Sequence, residues 1–241
     1  MTVCEEGYVR LMEQSVLPET IAAVGSVRLQ VENLQFLDNG PYSFSIKQGE
    51  CVGLSGKSGV GKTQLLRAVT DLIPHGGRVL LDGADSSSFQ APIWRSQATM
   101  IPAESFWWYD FVGDHFPVSD GGDHLRKNCQ LLGFSEDVLT WRISRLSTGE
   151  KQRLALLRGL VNSPSVLLLD EPCSGLDPAH TGLVESFVLD YRRRNKASVL
   201  WVSHDAEQLQ RVTDRELIVE KQGLYEKTVT TFKAGNDSDK G

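Results

Sequence analysis

The stretch Gly56-Lys57-Ser58-Gly59-Val60-Gly61-Lys62-Thr63 follows the short apolar run Cys51-Val52-Gly53-Leu54. It leads into Lys62–Leu72, where Leu65, Val69 and Leu72 recur at helical spacing until Pro74 stops the pattern. The expectation is a strand, a glycine loop and a helix, and in that context the residues match the phosphate-loop pattern Gly-x-x-x-x-Gly-Lys-Ser/Thr in full. The glycines let backbone N–H groups turn inward around phosphates, and the helix N-terminus adds its partial positive charge. Lys62 is expected to reach the β- and γ-phosphates, and the Thr63 hydroxyl to be a Mg²⁺ ligand. A glycine-rich turn before an ordinary helix is the plainer alternative.

The second element is Val166-Leu167-Leu168-Leu169-Asp170-Glu171, a continuously apolar run that ends in two carboxylates. Such a run suits a parallel strand buried on both faces, and ligands of open α/β sheets bind at the C-terminal ends of their strands. Asp170 is placed to hold Mg²⁺ and Glu171 to polarise an attacking water. Acidic residues leaving a sheet for solvent would look the same in isolation, and pairing with the phosphate loop gives the run its weight.

Outward from these two elements, the alternation Val27, Leu29, Val31 and the segment Tyr42–Ile46 predict two antiparallel strands around the turn residues Asp38, Asn39, Gly40 and Pro41. Further strands are expected at Arg78–Asp82, Ala98–Ile101 and Ser198–Val202, helices from Gly149 to about Val161 and over Ala179–Asn195, and a last hairpin around Gly223. Residues 103–145 break this rhythm. They hold Phe106-Trp107-Trp108-Tyr109, then Asp120-Gly121-Gly122-Asp123, then a helical pattern from His124 to Leu132, and read as an inserted, mainly helical lobe. Residues 1–26 read as an N-terminal extension with a weak helical pattern around Tyr8–Val16, 27–234 as the folded domain, and 235–241 as a flexible tail.

Of the 241 residues, 40% are hydrophobic and 23% charged, which suits one α/β domain and excludes a large multidomain machine. Lys and Arg number 25 against 31 Asp and Glu, a net charge of −6 that argues against nucleic acid as the main partner. No stretch approaches the roughly 18 apolar residues of a membrane helix, and Glu5, Glu6 and Glu13 are unlike an export signal. Cys4, Cys51, Cys129 and Cys173 are scattered, which points to reduced thiols rather than a zinc site or a disulfide scaffold. Arg192-Arg193-Arg194 reads as a solvated basic turn near a helix end.

Two further segments complete a pattern. Leu146-Ser147-Thr148-Gly149-Glu150 stands directly ahead of a helix beginning Lys151-Gln152-Arg153, and Ser203-His204 ends an apolar strand. With Ser174-Gly175-Leu176-Asp177 between them, this order resembles the ATP-binding cassette (ABC) ATPase family over about residues 27–227. The resemblance implies an α/β fold: a RecA-like phosphate-loop core with a small antiparallel β subdomain and an inserted helical subdomain. It implies ATP as substrate, Mg²⁺ as cofactor, and hydrolysis at a site shared by two like subunits, with a homodimer as the simplest case. Ser147, Thr148, Gly149 and Glu150 would form the signature that grips the γ-phosphate held by the other subunit, His204 would contact the γ-phosphate, and Asp177 would communicate across the dimer. A separate transmembrane permease subunit is the implied partner, which would hold the chain peripherally on the cytoplasmic face of a membrane.

The copy departs from the family's usual pattern in several places. The signature is usually Leu-Ser-Gly-Gly-Gln, so Thr148 and Glu150 differ. Ala103 takes the place of a Gln that senses metal and couples to the membrane partner, with Glu104 beside it. The loop that normally carries an adenine-stacking aromatic is short, and Phe36 and Tyr42 are the nearby rings, each equally readable as a core or edge residue. Phe106-Trp107-Trp108-Tyr109 falls where the lobe would meet its membrane partner, or else two of the four fill the lobe. A transport ATPase is thus the leading expectation. A soluble cassette acting on a macromolecular assembly and a nucleotide-binding module with weak hydrolysis are its rivals.

Overall fold

The computed structural model of the chain describes residues 26–117 and 123–227. The expected helix at Tyr8–Val16, Cys4, the 120–122 glycine turn and the 235–241 tail lie outside the described residues.

In chain order the elements are β1 (Val27–Phe36), β2 (Asn39–Lys47), β3 (Cys51–Ser55), α1 (Lys62–Val69), β4 (Gly76–Leu81), β5 (Ala84–Asp85), α2 (Ala91–Gln97) and β6 (Ala98–Ile101). Then come α3 (Asp123–Leu131), α4 (Thr148–Leu160), β7 (Val166–Asp170), α5 (Pro178–Asn195), β8 (Ser198–Val202), α6 (Ala206–Val212), β9 (Arg215–Glu220) and β10 (Gly223–Glu226). They form two sheets. One runs β10-β9-β3-β8-β7-β6, parallel throughout except for β10. The other runs β2-β1-β4-β5 and is antiparallel.

Every residue of β7 and β8 is buried, because side chains alternate between two covered faces. Leu168, Leu200 and Val202 join α1 and the inner face of β1 in one apolar cluster. Leu167, Leu169, Val199 and Trp201 join α4, α5, α6 and the lobe in the other. β1 buries Leu29 and Val31, then, past a register shift, Leu34 and Phe36, keeping one face inward as an antiparallel strand should.

Helix α1 ends at Val69, short of the Leu72 expected from periodicity. The reason is a C-terminal capping motif: Asp71 adopts φ +53, its N–H donates to Ala68 O, and Leu72 N–H reaches back to Arg67 O at 2.8 Å. Leu72 falls outside the helix and stays exposed. Helix α2 has seven residues, too few to be stable alone. It is pinned by Trp94, fully enclosed, whose Nε1–H donates to Val69 O at 3.1 Å.

Within 103–145 the described residues hold α3, three single 3-10 turns at Gly113–His115, Val138–Thr140 and Ile143–Arg145, and a bridge between Phe111 and Arg142. Only the His124–Leu132 stretch carries a sustained helical pattern, and α3 occupies it. Of the four cysteines, Cys51 and Cys129 are buried and Cys173 half-buried, all as free thiols.

The order β3-β8-β7 has a direct consequence for chemistry. It sets the loops after those three strands side by side at one edge of the sheet, so residues far apart in sequence converge there.

Candidate functional site

The loop after β3 bends back on itself. Gly56 adopts φ +147, where a Cβ would lie 2.6 Å from Val219 O, and Gly61, at φ +106, opens α1. A side chain at Gly56 would displace backbone, whereas at Gly61 it would be strained by the positive φ and press on the Asn39 side chain 3.2 Å away. Lys57, Ser58 and Gly59 are exposed, and Val60 packs onto the core beneath them. Lys62 is 7% exposed, and its ammonium donates to the carbonyls of Gly56 (2.9 Å) and Lys57 (3.3 Å). Burial pushes its pKa down, while the charges of Glu171 and Asp170 pull it up. The loop thus holds a cation curled over its own backbone, beside the exposed residues 57–59.

Thr63 Oγ1 donates to Asp170 Oδ2 at 2.8 Å, which links the first turn of α1 to the end of β7. Asp170 is 4% exposed. Burial raises its carboxyl pKa against the Thr63 bond and the charges of Arg67 and Lys62.

Glu171 adopts φ +50, an uncommon conformation for a residue with a Cβ, and its N–H donates to Val202 O at 3.1 Å. Its Oε1 is buried without a hydrogen-bond partner, although His204 Nε2 lies 3.2 Å away. Desolvation pushes the Glu171 pKa up, His204 and Lys62 pull it down, and Asp170 pushes it up again. The arrangement presents one hydroxyl, a buried and a half-buried carboxylate, one ammonium and one imidazole around the glycine loop.

A buried carboxylate oxygen lacking a hydrogen-bond donor is costly, and the His204 imidazole 3.2 Å away is placed to offset part of that cost. Thr63 and Asp170 offer hard oxygens of the kind that Mg²⁺ prefers, and Mg²⁺ usually takes only one or two such protein ligands together with phosphate oxygens. Among the described residues no group of three His, Cys, Asp or Glu side chains forms a metal cage. The donor set fits Mg²⁺ held jointly with a phosphate.

The signature residues lie elsewhere. Ser147 caps α4 and forms a reciprocal capping box with Glu150, while Ser147 and Thr148 stay exposed. A Cβ on Gly149 would come 2.8 Å from Leu176 Cδ2, so this glycine lets α4 approach the loop that ends at Asp177. Asp177 caps α5, accepting from His180 N–H at 2.9 Å and pairing with His180 Nδ1 at 2.6 Å. The His180 bonds, the backbone one foremost, hold the Asp177 carboxyl below its usual range.

The structure therefore brings Lys62, Thr63, Asp170, Glu171 and His204 together and holds Ser147–Glu150 and Asp177 as a second group. The hydrogen bonds of Ser147 and Glu150 run to each other, and those of Lys62 and Thr63 to the phosphate loop and Asp170.

Two residues of this region escaped the sequence reading. His180 follows an Asp-Pro helix start, a signal that was present. Gln152 is 5% exposed and donates to Pro102 O at 3.2 Å, a polar tie from α4 to the segment holding Ala103; its partner is visible only in the folded chain.

Neither ring considered for base stacking offers a face. Phe36 is 2% exposed and Tyr42 fully buried, and the Tyr42 hydroxyl donates to Glu220 O at 2.7 Å. Tyr42 is thus a core residue that ties β2 to the turn after β9. Tyr42→Phe should cost about 1 kcal/mol in urea unfolding and leave nucleotide affinity unchanged; a large loss of affinity would restore it as a binding residue.

Of the aromatic run, one ring is partly covered and three stand exposed, so two of the four do not fill the lobe. Trp107 is tucked beneath Arg158, whose guanidinium covers its ring at 4.4 Å and that of Trp108 at 4.7 Å. Phe106, Trp108 and Tyr109 are 77%, 63% and 53% exposed. Beneath them His115 Nε2 accepts from the N–H groups of Trp108 (3.1 Å) and Tyr109 (3.0 Å), so the exposed rings stand on a fixed loop. Arg193 and Arg194 are exposed and pair with Asp190, as in a solvated basic turn, whereas Arg192 is half-buried and ties α5 to Asp214 and to Gly49 O.

Comparison with known proteins adds the following. The family model described as "ABC transporter" matches residues 40–174. The probable iron export ATP-binding protein FetA of Escherichia coli (strain K12) is 33% identical over 198 residues, covering 75% of this chain and 86% of that protein. The aliphatic sulfonates import ATP-binding protein SsuB 2 of Frankia alni is 34% identical over 194 residues, covering 80% and 75%. A solved structure of the ATP binding subunit of an ABC transporter superposes with a TM-score of 0.75 at 20% identity, covering 84% of this chain and 90% of that one.

Proposed function

The chain belongs to the ABC transporter family, and on that premise we propose that it is the ATP-hydrolysing subunit of a transporter, working as a dimer against a separate membrane subunit. The observation that carries this reading is the convergence of the phosphate loop, Thr63–Asp170 and Glu171–His204 at the ends of β3, β7 and β8.

ATP would lie with its phosphates among the exposed loop amides. The Lys62 ammonium would exchange the Gly56 and Lys57 carbonyls for phosphate oxygens, a stronger, charge-assisted bond. Thr63 and Asp170 would hold Mg²⁺, which supplies charge neutralisation on the phosphates. Glu171 would orient a water in line with the γ-phosphorus and accept its proton, and its orphaned Oε1 is free for that bond. As the new P–O bond forms, the bond to the β-phosphate oxygen breaks, leaving ADP and phosphate. His204, beside Glu171, would stabilise charge on the γ-phosphate together with Lys62 and the loop amides.

The separation of Ser147 and Asp177 from the phosphate loop supports a dimer, in which the signature of one subunit completes the site of the other. Identical partners would then be related by a two-fold axis. The exposed Phe106, Trp108 and Tyr109 on their braced loop support docking on a membrane subunit, since aromatics are enriched at interfaces. Among the described residues no helix is long and apolar enough to cross a membrane. A place on the cytoplasmic face of the membrane is part of the same proposal.

The test is steady-state ATP hydrolysis with Mg²⁺ across a range of protein concentrations. Turnover per chain should rise with concentration as the dimer forms. Trp108→Ala should keep this hydrolysis and lose association with the membrane subunit. Turnover independent of protein concentration would overturn the dimer, and no turnover with or without the membrane subunit would overturn hydrolysis.

A further inference from the structure

Ser147 and Glu150 close on each other at the start of α4. Glu150 Oε2 accepts from Ser147 N–H at 2.8 Å and from Ser147 Oγ–H at 2.8 Å, while Ser147 Oγ accepts from Glu150 N–H at 3.2 Å. A hydroxyl carries a single proton, and here it is spent on a carboxylate. Ser147 has no donor left for a phosphate in this arrangement.

The carboxylate also occupies the positive end of the α4 dipole, the feature that would otherwise attract an anion. Two arginines stand near it, and both guanidiniums are committed elsewhere. That of Arg145 lies 3.9 Å over the Trp141 ring. That of Arg153 lies 4.5 Å over the Phe134 ring and donates to Leu132 O. Burial pushes the Glu150 pKa up, but the Ser147 bonds and the two arginine charges outweigh it and hold the group below its usual value. The negative charge is present at neutral pH.

We propose that Glu150 is an affinity-setting residue that acts through Ser147: a charged latch that must release the Ser147 hydroxyl before α4 can grip the γ-phosphate of ATP on a second subunit. This rests on the reading that Ser147 contacts phosphate in trans. A phosphate arriving at Ser147 meets a like charge at close range, which opposes closure. A glutamine in the same place keeps the reciprocal cap, since either side chain completes a capping box, and removes the charge.

The experiment measures ATP-driven dimerisation of the full chain by sedimentation at low and high salt. It uses the Glu171→Gln background, with Glu150→Gln and Ser147→Ala added separately. Glu150→Gln should tighten the dimer roughly tenfold at low salt, the factor given by about 1.4 kcal/mol, and the gain should shrink at high salt because screening weakens repulsion. A purely structural cap would show no such salt dependence. Ser147→Ala should weaken the dimer. If Ser147→Ala weakens it while Glu150→Gln leaves it unchanged or looser, the latch is wrong and the trans contact stands. If Ser147→Ala changes nothing, the trans contact fails and the latch with it.

Discussion

Glu171→Gln is expected to bind ATP as the parent does and to lose turnover by roughly 10²–10⁴-fold, the range a positioned general base contributes. The substitution keeps the shape of the side chain and removes its capacity to take a proton. ATP that cannot be cleaved should accumulate a closed dimer, seen as a species of doubled mass by light scattering. Because burial raises the Glu171 pKa, the acid limb of the parent pH–rate profile should lie above the ordinary glutamate value. The base works as carboxylate, so activity falls as pH drops through the raised value, and the Gln variant should lack that limb.

The same shift makes a stability prediction with a fixed sign. A carboxyl whose pKa is raised by folding favours the native state below its ordinary value of 4.5 and loses that contribution as pH rises through the folded value. The parent should therefore fall behind Glu171→Gln in melting temperature as pH rises through this window. Parent-rate hydrolysis by Glu171→Gln would show that another group handles the proton.

Lys62→Ala is expected to lose about 2–5 kcal/mol of ATP affinity, roughly 30- to several-thousand-fold, as for truncation of a buried charge-pair partner. Lys62 is almost fully buried and its ammonium bonds go to two carbonyls of its own loop. A phosphate would offer that ammonium charged acceptors in place of neutral ones. Isothermal titration with ATP reads the loss directly. Lys62→Arg should not rescue, because a planar guanidinium does not fit the space of a compact ammonium. Binding by Lys62→Ala as tight as the parent's would remove Lys62 from the site.

Much of the site was legible in the linear chain, because its parts are local. The phosphate loop needs glycines at positions with positive φ and a helix starting at once, and Gly56, Gly61 and Lys62 supply both within one turn of chain. The run Val166–Asp170 announces its burial by containing nothing polar until its end. Ser147 and Glu150 form their cap within a single helical turn. Elements with weak local signals went unread. Helix α2 owes its order to Trp94 packing under α1, and α6 is seven residues long, announced only by Asp205, whose carboxylate accepts from the N–H groups of Glu207 and Gln208. The end of α1 was misjudged because Leu72 fits the apolar period, whereas the Asp71 cap decides the boundary.

The sequence by itself determined which chemical groups exist and in what backbone setting: a cradle for phosphate, a strand delivering two carboxylates, and a signature directly ahead of a helix. Such features depend on neighbours within a few residues, where covalent geometry leaves little choice. The tertiary structure alone decided that β8 lies between β3 and β7, which puts His204 beside Glu171 and Thr63 against Asp170. It also decided that Tyr42 is core, that Trp108 faces outward while Trp107 does not, and that Glu171 Oε1 is buried with His204 3.2 Å away and no hydrogen bond of its own. Burial and partnership are properties of the space around a side chain, and that space is built by segments distant in sequence.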